Sequence, residues 1–92
     1  MIIYISGAIK NSKKPYKEKF QEAHLHLEAL GHSVLDPSFL PPDMPPTKYM
    51  PICMAMIEQA DAIYMLSDFR DSEGAMLELD YATYQGKKVM FE

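Results

Sequence analysis

The chain is poor in the residues that usually announce a function. It holds one cysteine, Cys53, no tryptophan and four glycines in 92 residues. A single cysteine excludes an intrachain disulfide and a cysteine-based zinc site. Positive charge is also short: nine Lys and Arg against 13 Asp and Glu give a net charge of −4. A nucleic-acid backbone binder needs a basic face, so that class is disfavoured. A small phosphorylated ligand stays open, because it needs only a few local donors. The opening "MIIYISGAIK" has five residues before Ser6 and Gly7. That is too short for a signal peptide or a membrane span, so a reducing cytoplasm is expected. Apart from its prolines the chain has no repeat and no low-complexity tract.

Apolar residues, by contrast, make up 48% of the chain and charged ones 24%, a globular composition. Residues 1–92 are expected to form one small domain. A domain of this size buries a modest fraction of its surface, so self-association would help it. "MIIYI" is an apolar run without alternation, which predicts a strand buried on both faces. "PYKEKFQEAHLHLEALGH" predicts a helix. Pro15 suits its first turn, Tyr16, Phe20, Ala23, Leu27 and Leu30 form one stripe, and Gly31 ends it. His24 and His26 fall on different faces, with no second metal ligand at a suitable spacing. "HSVLDP" predicts a short second strand. Residues 37–51 then hold six of the seven prolines. They predict a stiff loop, either a lid over a ligand or a rigid connector.

"TKYMPICMAMIEQA" predicts a second helix, with Thr47 as N-cap and Pro51 in or just after the first turn. "DAIYML" predicts a third strand. "SEGAMLELDYATYQG" predicts a third helix between an Ser72 N-cap and Gly86, and "KKVMFE" a fourth strand. This alternation predicts a three-layer α/β fold, Rossmann-like or flavodoxin-like, with a four-stranded parallel sheet and right-handed crossovers.

Ligands of such sheets bind beyond the carboxyl ends of the strands. Three loops end there: "SGAIKNSKK", the proline segment and "SDFRDSEG". In the first, Gly7 precedes Lys10, Asn11 and Ser12. A lone glycine serves a close ligand or a tight turn equally well, and no GxGxxG fingerprint is present. In the third, Ser72 and Gly74 open a helix whose free N–H groups suit a phosphate, although plain N-capping explains Ser72 as well. Glu78 lies four residues after Gly74, on the same helix face. Either it is a solvated charge or it faces a pocket that the missing side chain of Gly74 leaves open, about 6 Å along the axis. On this spacing Leu77 and Tyr81 are expected to face the sheet or a partner.

"YISGAI", "QADAIYML" and "SEGAMLELDYATYQGKKV" together resemble the nucleoside 2-deoxyribosyltransferase superfamily, which includes the 2′-deoxynucleoside 5′-phosphate N-hydrolases. The likeness covers nearly the whole chain and points to a short phage and bacterial branch without assigned function. It implies a glutamate nucleophile at Glu78, oriented by Tyr4. It implies that Ser6, Gly7 and Ile9 lie against a nucleotide, and that Lys10 stands where the hydrolases tend to have arginine. A serine at Ser72, where transferases acting on free nucleosides typically have aspartate, implies a 5′-monophosphate. Gly74 completes the set, and no cofactor or metal is implied. Dimers are usual in the superfamily. The chain departs from the pattern at Cys53, where an aspartate usually assists the leaving base, and at Asp80, where a glycine is usual. Asp61, Asp68 and Asp71 are the candidate substitutes for that acid. A C-terminal segment that often completes a neighbour's site has no counterpart. Three readings follow: an N-glycosidase or deoxyribosyltransferase, a nucleotide-binding module without turnover, or a structural α/β protein.

Overall fold

The computed structural model describes residues 1–10 and 15–92. Four strands, β1 (Ile2–Ser6), β2 (Ser33–Leu35), β3 (Ala62–Met65) and β4 (Lys88–Phe91), alternate with helices α1 (Tyr16–Ala29), α2 (Pro46–Gln59) and α3 (Glu73–Tyr84). Short 3-10 turns at Pro37–Phe39 and Phe69–Asp71 precede α2 and α3. The sheet is wholly parallel in the order β2-β1-β3-β4. The predicted α/β architecture is therefore the observed one. From β1 the chain winds outward to β2, then returns past β1 to β3. The sheet thus changes winding direction between β1 and β3, which is where such folds open a crevice.

Period-two alternation divides the sheet into two faces. Ile3, Ile5, Ala62, Tyr64 and Leu66 pack with Phe20, Ala23 and Leu27 of α1. Tyr4, Ile63 and Met65 pack with Cys53 and Ile57 of α2 and with Ala75 and Ala82 of α3. Asp61 holds the entry to β3 in place: its carboxylate accepts from the Ile2 N–H at 2.8 Å and its own N–H donates to the Ile2 carbonyl at 2.7 Å.

Two local expectations need correction. Thr47 does not cap α2; Pro45 holds that place without a side-chain bond, and Pro46 opens the helix. A fixed φ near −65° suits a first helical position, so the proline run itself starts the helix. Pro51 lies inside α2, just after its first turn as expected. Its ring removes one helical hydrogen bond, and packing of Cys53 and Ile57 against the sheet offsets that loss. The α1 stripe ends at Leu27, because Leu30 is the C-cap and is 61% exposed. Gly31, at φ +90°, supplies the left-handed residue that stops the helix. Among the described residues no helix is long and apolar enough to cross a membrane.

Candidate active site

The side of α3 that meets the sheet carries Ala75, Glu78 and Ala82. Of the two readings of Glu78, the structure has the inward one. The larger apolar residues Met76 and Leu77 point outward, Leu77 being 56% exposed. Tyr81 is partly buried against the core on this side of the sheet, and its hydroxyl donates to Glu58 of α2. Two alanines let the helix lie close to the strands, and the carboxylate between them reaches β1. Glu78 is 6% exposed. Burying a carboxylate is costly unless donors surround it. Here the Tyr4 hydroxyl donates to Glu78 Oε1 at 3.0 Å, and Ser6 Oγ donates to the same oxygen at 2.7 Å. Burial pushes the Glu78 carboxyl above its ordinary range, while the Ser6, Tyr4 and Cys53 side chains pull it partly back. Tyr4 is pushed well above the usual phenol range by burial and by the charge of Glu78.

Glu78 forms part of the wall of a cavity of about 600 Å³. The nucleophile candidate, its orienter and the substrate-binding candidates taken from the sequence all line it: Tyr4, Ser6, Gly7, Ile9, Lys10, Ser72, Gly74 and Glu78. Asn11 and Ser12 lie outside the described residues. Phe20, Pro37, Pro46, Tyr49, Met50 and Leu77 give the cavity an apolar and aromatic lining. Among the described residues, its charged ones are Lys10 on the loop after β1 and Asp71, Glu73 and Glu78 along α3 and its approach.

The two glycines differ in kind. A Cβ at Gly7 would stand 2.7 Å from Leu66 Cδ1 and 2.8 Å from Leu66 Cβ, so the fold itself requires glycine there. A Cβ at Gly74 would meet only Met50 Cε at 3.5 Å, Ser72 Oγ at 3.7 Å and the Tyr49 hydroxyl at 3.9 Å, all ordinary contacts. Packing does not require a glycine at this helical position; the bare backbone leaves cavity space open. Ser72 does cap α3, accepting from the Ala75 N–H at 3.1 Å. Acting as acceptor, it keeps its own O–H proton to donate.

Cys53 lies buried beside Tyr4 and Glu78. Burial and the Glu78 charge push its thiol up to about 12, so it stays protonated. Of the alternative acids, Asp61 is bound at the strand entry as described. Asp68 is held too: Oδ1 accepts from the Ala8 N–H at 3.1 Å, Oδ2 pairs with Lys19, and Lys19 also donates to the Ala8 carbonyl at 3.1 Å. That arrangement ties the loop after β1 to the loop after β3. Asp71 alone of the three lines the cavity, and it is exposed. The histidine His24 stays away from the site's chemistry, bound to Asp36 at 2.9 Å and to Glu28 at 3.3 Å.

Sequence reasoning missed Tyr49 and Met50, which the first turn of α2 brings to the cavity. Both fall in the helix expected from Thr47, but that this end of the helix faces the cavity is a tertiary fact. The bond from Ser6 to Glu78 was also missed. Tyr4 and Ser6 are two apart on a strand and therefore share a face, but that their common partner is residue 78 is a tertiary fact.

No curated protein matches the chain in sequence. In structure it is similar to a 2-deoxyribosyltransferase from Leishmania mexicana, at 19% identity and TM-score 0.76, over 98% of this chain and 62% of that one. It is similar to a 2-deoxyribosyltransferase from Bacillus psychrosaccharolyticus at 22% identity and TM-score 0.77, over 99% of this chain and 71% of that one. A CMP N-glycosidase from Clostridium botulinum follows at 25% identity and TM-score 0.64, over 99% and 67%. The chain thus spans 62% to 71% of the length of these structures. Its fold is that of the nucleoside 2-deoxyribosyltransferase-like superfamily, as the sequence resemblance implied. A family model described as a domain of unknown function, DUF4406, matches residues 1–91, and the chain belongs to that family.

Proposed function

We propose that the protein cleaves the N-glycosidic bond of a (deoxy)nucleoside 5′-monophosphate, by hydrolysis or by transfer to another base, with Glu78 as nucleophile. The observation that carries this reading is a buried carboxylate in a cavity wall, fixed by two hydroxyls on one oxygen. In the first step a Glu78 oxygen bonds to the anomeric carbon. The C–N bond breaks, its electron pair leaves with the base, and the base takes up a proton from solvent. In the second step water or another base attacks the same carbon and gives up a proton to solvent, and the glycosyl ester opens to restore the carboxylate. The Tyr4 hydrogen bond keeps the carboxylate oriented.

Ser72 and the first amides of α3 support a phosphate at the other end of the cavity, with Lys10 of the loop after β1 as the cation. Asp71 and Glu73 oppose a phosphate there. Both are exposed, and water screens them. Gly7 and Ile9 border the sugar, and Gly74 makes room for it. The small domain also favours a homodimer, for which the exposed Ile52, Met76, Leu77 and Tyr84 supply an apolar surface. A cytoplasmic site fits the single free cysteine.

One observation favours a second reading. Where the superfamily resemblance implies a carboxylic acid, Cys53 presents a thiol held at about 12, a poor proton donor to a departing base. On that reading the protein binds a nucleotide without turning it over.

The experiment is direct. Each ribonucleoside and deoxynucleoside monophosphate is incubated with the protein and with Glu78→Gln, and free base is followed by chromatography. Base release that disappears in Glu78→Gln supports the glycosidase. Thermal stabilisation by one nucleotide without base release supports the binding module. Neither effect with any nucleotide removes both.

A further inference from the structure

The superfamily resemblance assigns Ser6 to the nucleotide side of the first loop, but the geometry turns its hydroxyl inward. Ser6 is 1% exposed and donates to Glu78 Oε1 at 2.7 Å, a shorter bond than that from Tyr4. A serine hydroxyl has one proton. Committed to Glu78, that proton is unavailable to a phosphate or a sugar. Tyr4 and Ser6 follow one another on the same face of β1, and the carboxylate meets both through a single oxygen.

We propose that Ser6 is a positioning residue for the nucleophile rather than a substrate contact. Together with Tyr4 it fixes Oε1, so that Oε2, which receives neither bond, is the oxygen that attacks. This inference rests on the glycosidase reading for its chemistry, but the clamp exists without turnover and is tested apart from it.

Hydrogen bonds to a carboxylate favour its charged form, so the clamp also sets the pH at which the nucleophile ionises. Among the described residues, the other titratable groups facing the cavity around Glu78 are Tyr4 from β1, Lys10 from the first loop, Tyr49 and Cys53 from α2, and Asp71 and Glu73 at the approach to α3. Tyr4, Cys53 and Tyr49 are neutral over the range in which Glu78 titrates, since all three are pushed upward. Deleting the Ser6 hydroxyl changes none of these charges.

The test is carbon-13 NMR titration of the Glu78 side-chain carboxyl, assigned by comparison with Glu78→Gln, in the wild type, Ser6→Ala and Ser6→Thr. Ser6→Ala is expected to titrate about one pH unit higher, because it loses a charge-assisted bond. Ser6→Thr keeps a hydroxyl and is expected to titrate with the wild type. If Ser6→Ala does not fold, Ser6→Cys keeps the volume with a weaker donor and is expected to shift the same way by less. A titration in Ser6→Ala or Ser6→Cys that overlays the wild type overturns the proposal. Where base release is measurable, Ser6→Ala is expected to lower kcat and move its acidic limb upward with KM little changed; a rise in KM alone overturns the positioning role in favour of a substrate contact. Because the titration needs no substrate, a protein that releases no base still answers this question.

Discussion

The two faces of the sheet are built from the same strands and differ in almost everything else. On the α1 side, Ile3 and Ile5 meet Phe20, Ala23 and Leu27, and the contact is apolar throughout. On the other side, Tyr4 and Ser6 alternate with those isoleucines and meet Glu78 and Cys53. The only buried polar or charged residues among those described, Ser6 and Glu78, are both there and are bonded to each other. On the proposed function, one strand serves stability through its odd positions and chemistry through its even ones. A substitution should reveal its face by what it changes.

The largest effect is expected at Glu78. Glu78→Gln should lower base release by roughly 10³-fold or more, as loss of a covalent nucleophile does, while the protein stays folded. Stability should move the other way. The folded-state pKa of Glu78 is raised above its unfolded value. Its protonated form is thus the one the fold favours, and stability is lost as pH rises through the folded pKa. Thermal melts across pH should show this loss in the wild type and a smaller one in Glu78→Gln. A Glu78→Gln protein that melts lower at neutral pH would break the comparison between the faces.

Ile5→Ala is the reciprocal test on the α1 face. Removing this fully buried side chain should cost about 2–5 kcal/mol in urea unfolding, with the pH profile of base release unchanged in the molecules that remain folded. A shifted profile would show that the two faces are coupled.

The two glycines sharpen the contrast. Gly7→Ala drives a methyl into Leu66 and should destabilise by about 1–3 kcal/mol. Gly74→Ala meets no clash and replaces a poor helix former, so it should leave stability equal or raise it by up to about 1 kcal/mol. It should also raise KM for the nucleotide, because the new methyl enters the cavity. Equal melting losses in both variants would mean that Gly74, too, serves packing.

The smallest effect is expected at His24, outside both cores. Its pKa is raised mainly by the hydrogen bond to Asp36. It therefore contributes stability that is fully present below its unfolded pKa and is lost as pH rises through the raised folded value. Because His24 is partly exposed, the gain is a few tenths of a kcal/mol by the standard of surface pairs. Melting temperatures of the wild type and His24→Gln should differ at pH 6 and converge above pH 8.

Much of this was legible in the sequence. The unbroken apolar run "MIIYI" can only be a strand covered on both sides, and its alternation with helical segments leaves little choice but a parallel sheet. Gly31 and Gly86 end their helices in the left-handed region, and Ser72 caps the third, because those local conformations depend on single residues. The α2 start was read wrongly because Thr47 is a good cap by propensity, whereas the fixed backbone of Pro45 and Pro46 decides where the helix begins. The inward face of α3 was also beyond periodicity: Met76 and Leu77 are exposed, and two alanines flank the carboxylate that points in.

The sequence by itself determined the order of strands and helices, the end of the sheet at which a site forms, and the residue types available to it. These follow from local propensity and from the connectivity of parallel strands. Only the tertiary structure decided that Ser6 gives its proton to Glu78, that Gly7 answers to Leu66 whereas Gly74 leaves a space, and that Asp61 and Asp68 are bound into the frame while Cys53 is kept as a thiol. Each of these joins groups from different elements, most of them more than fifty residues apart. Local pattern carries no information about which donor reaches which acceptor once two elements pack; the distance of closest approach between them sets it, and here two alanines on α3 make that distance short.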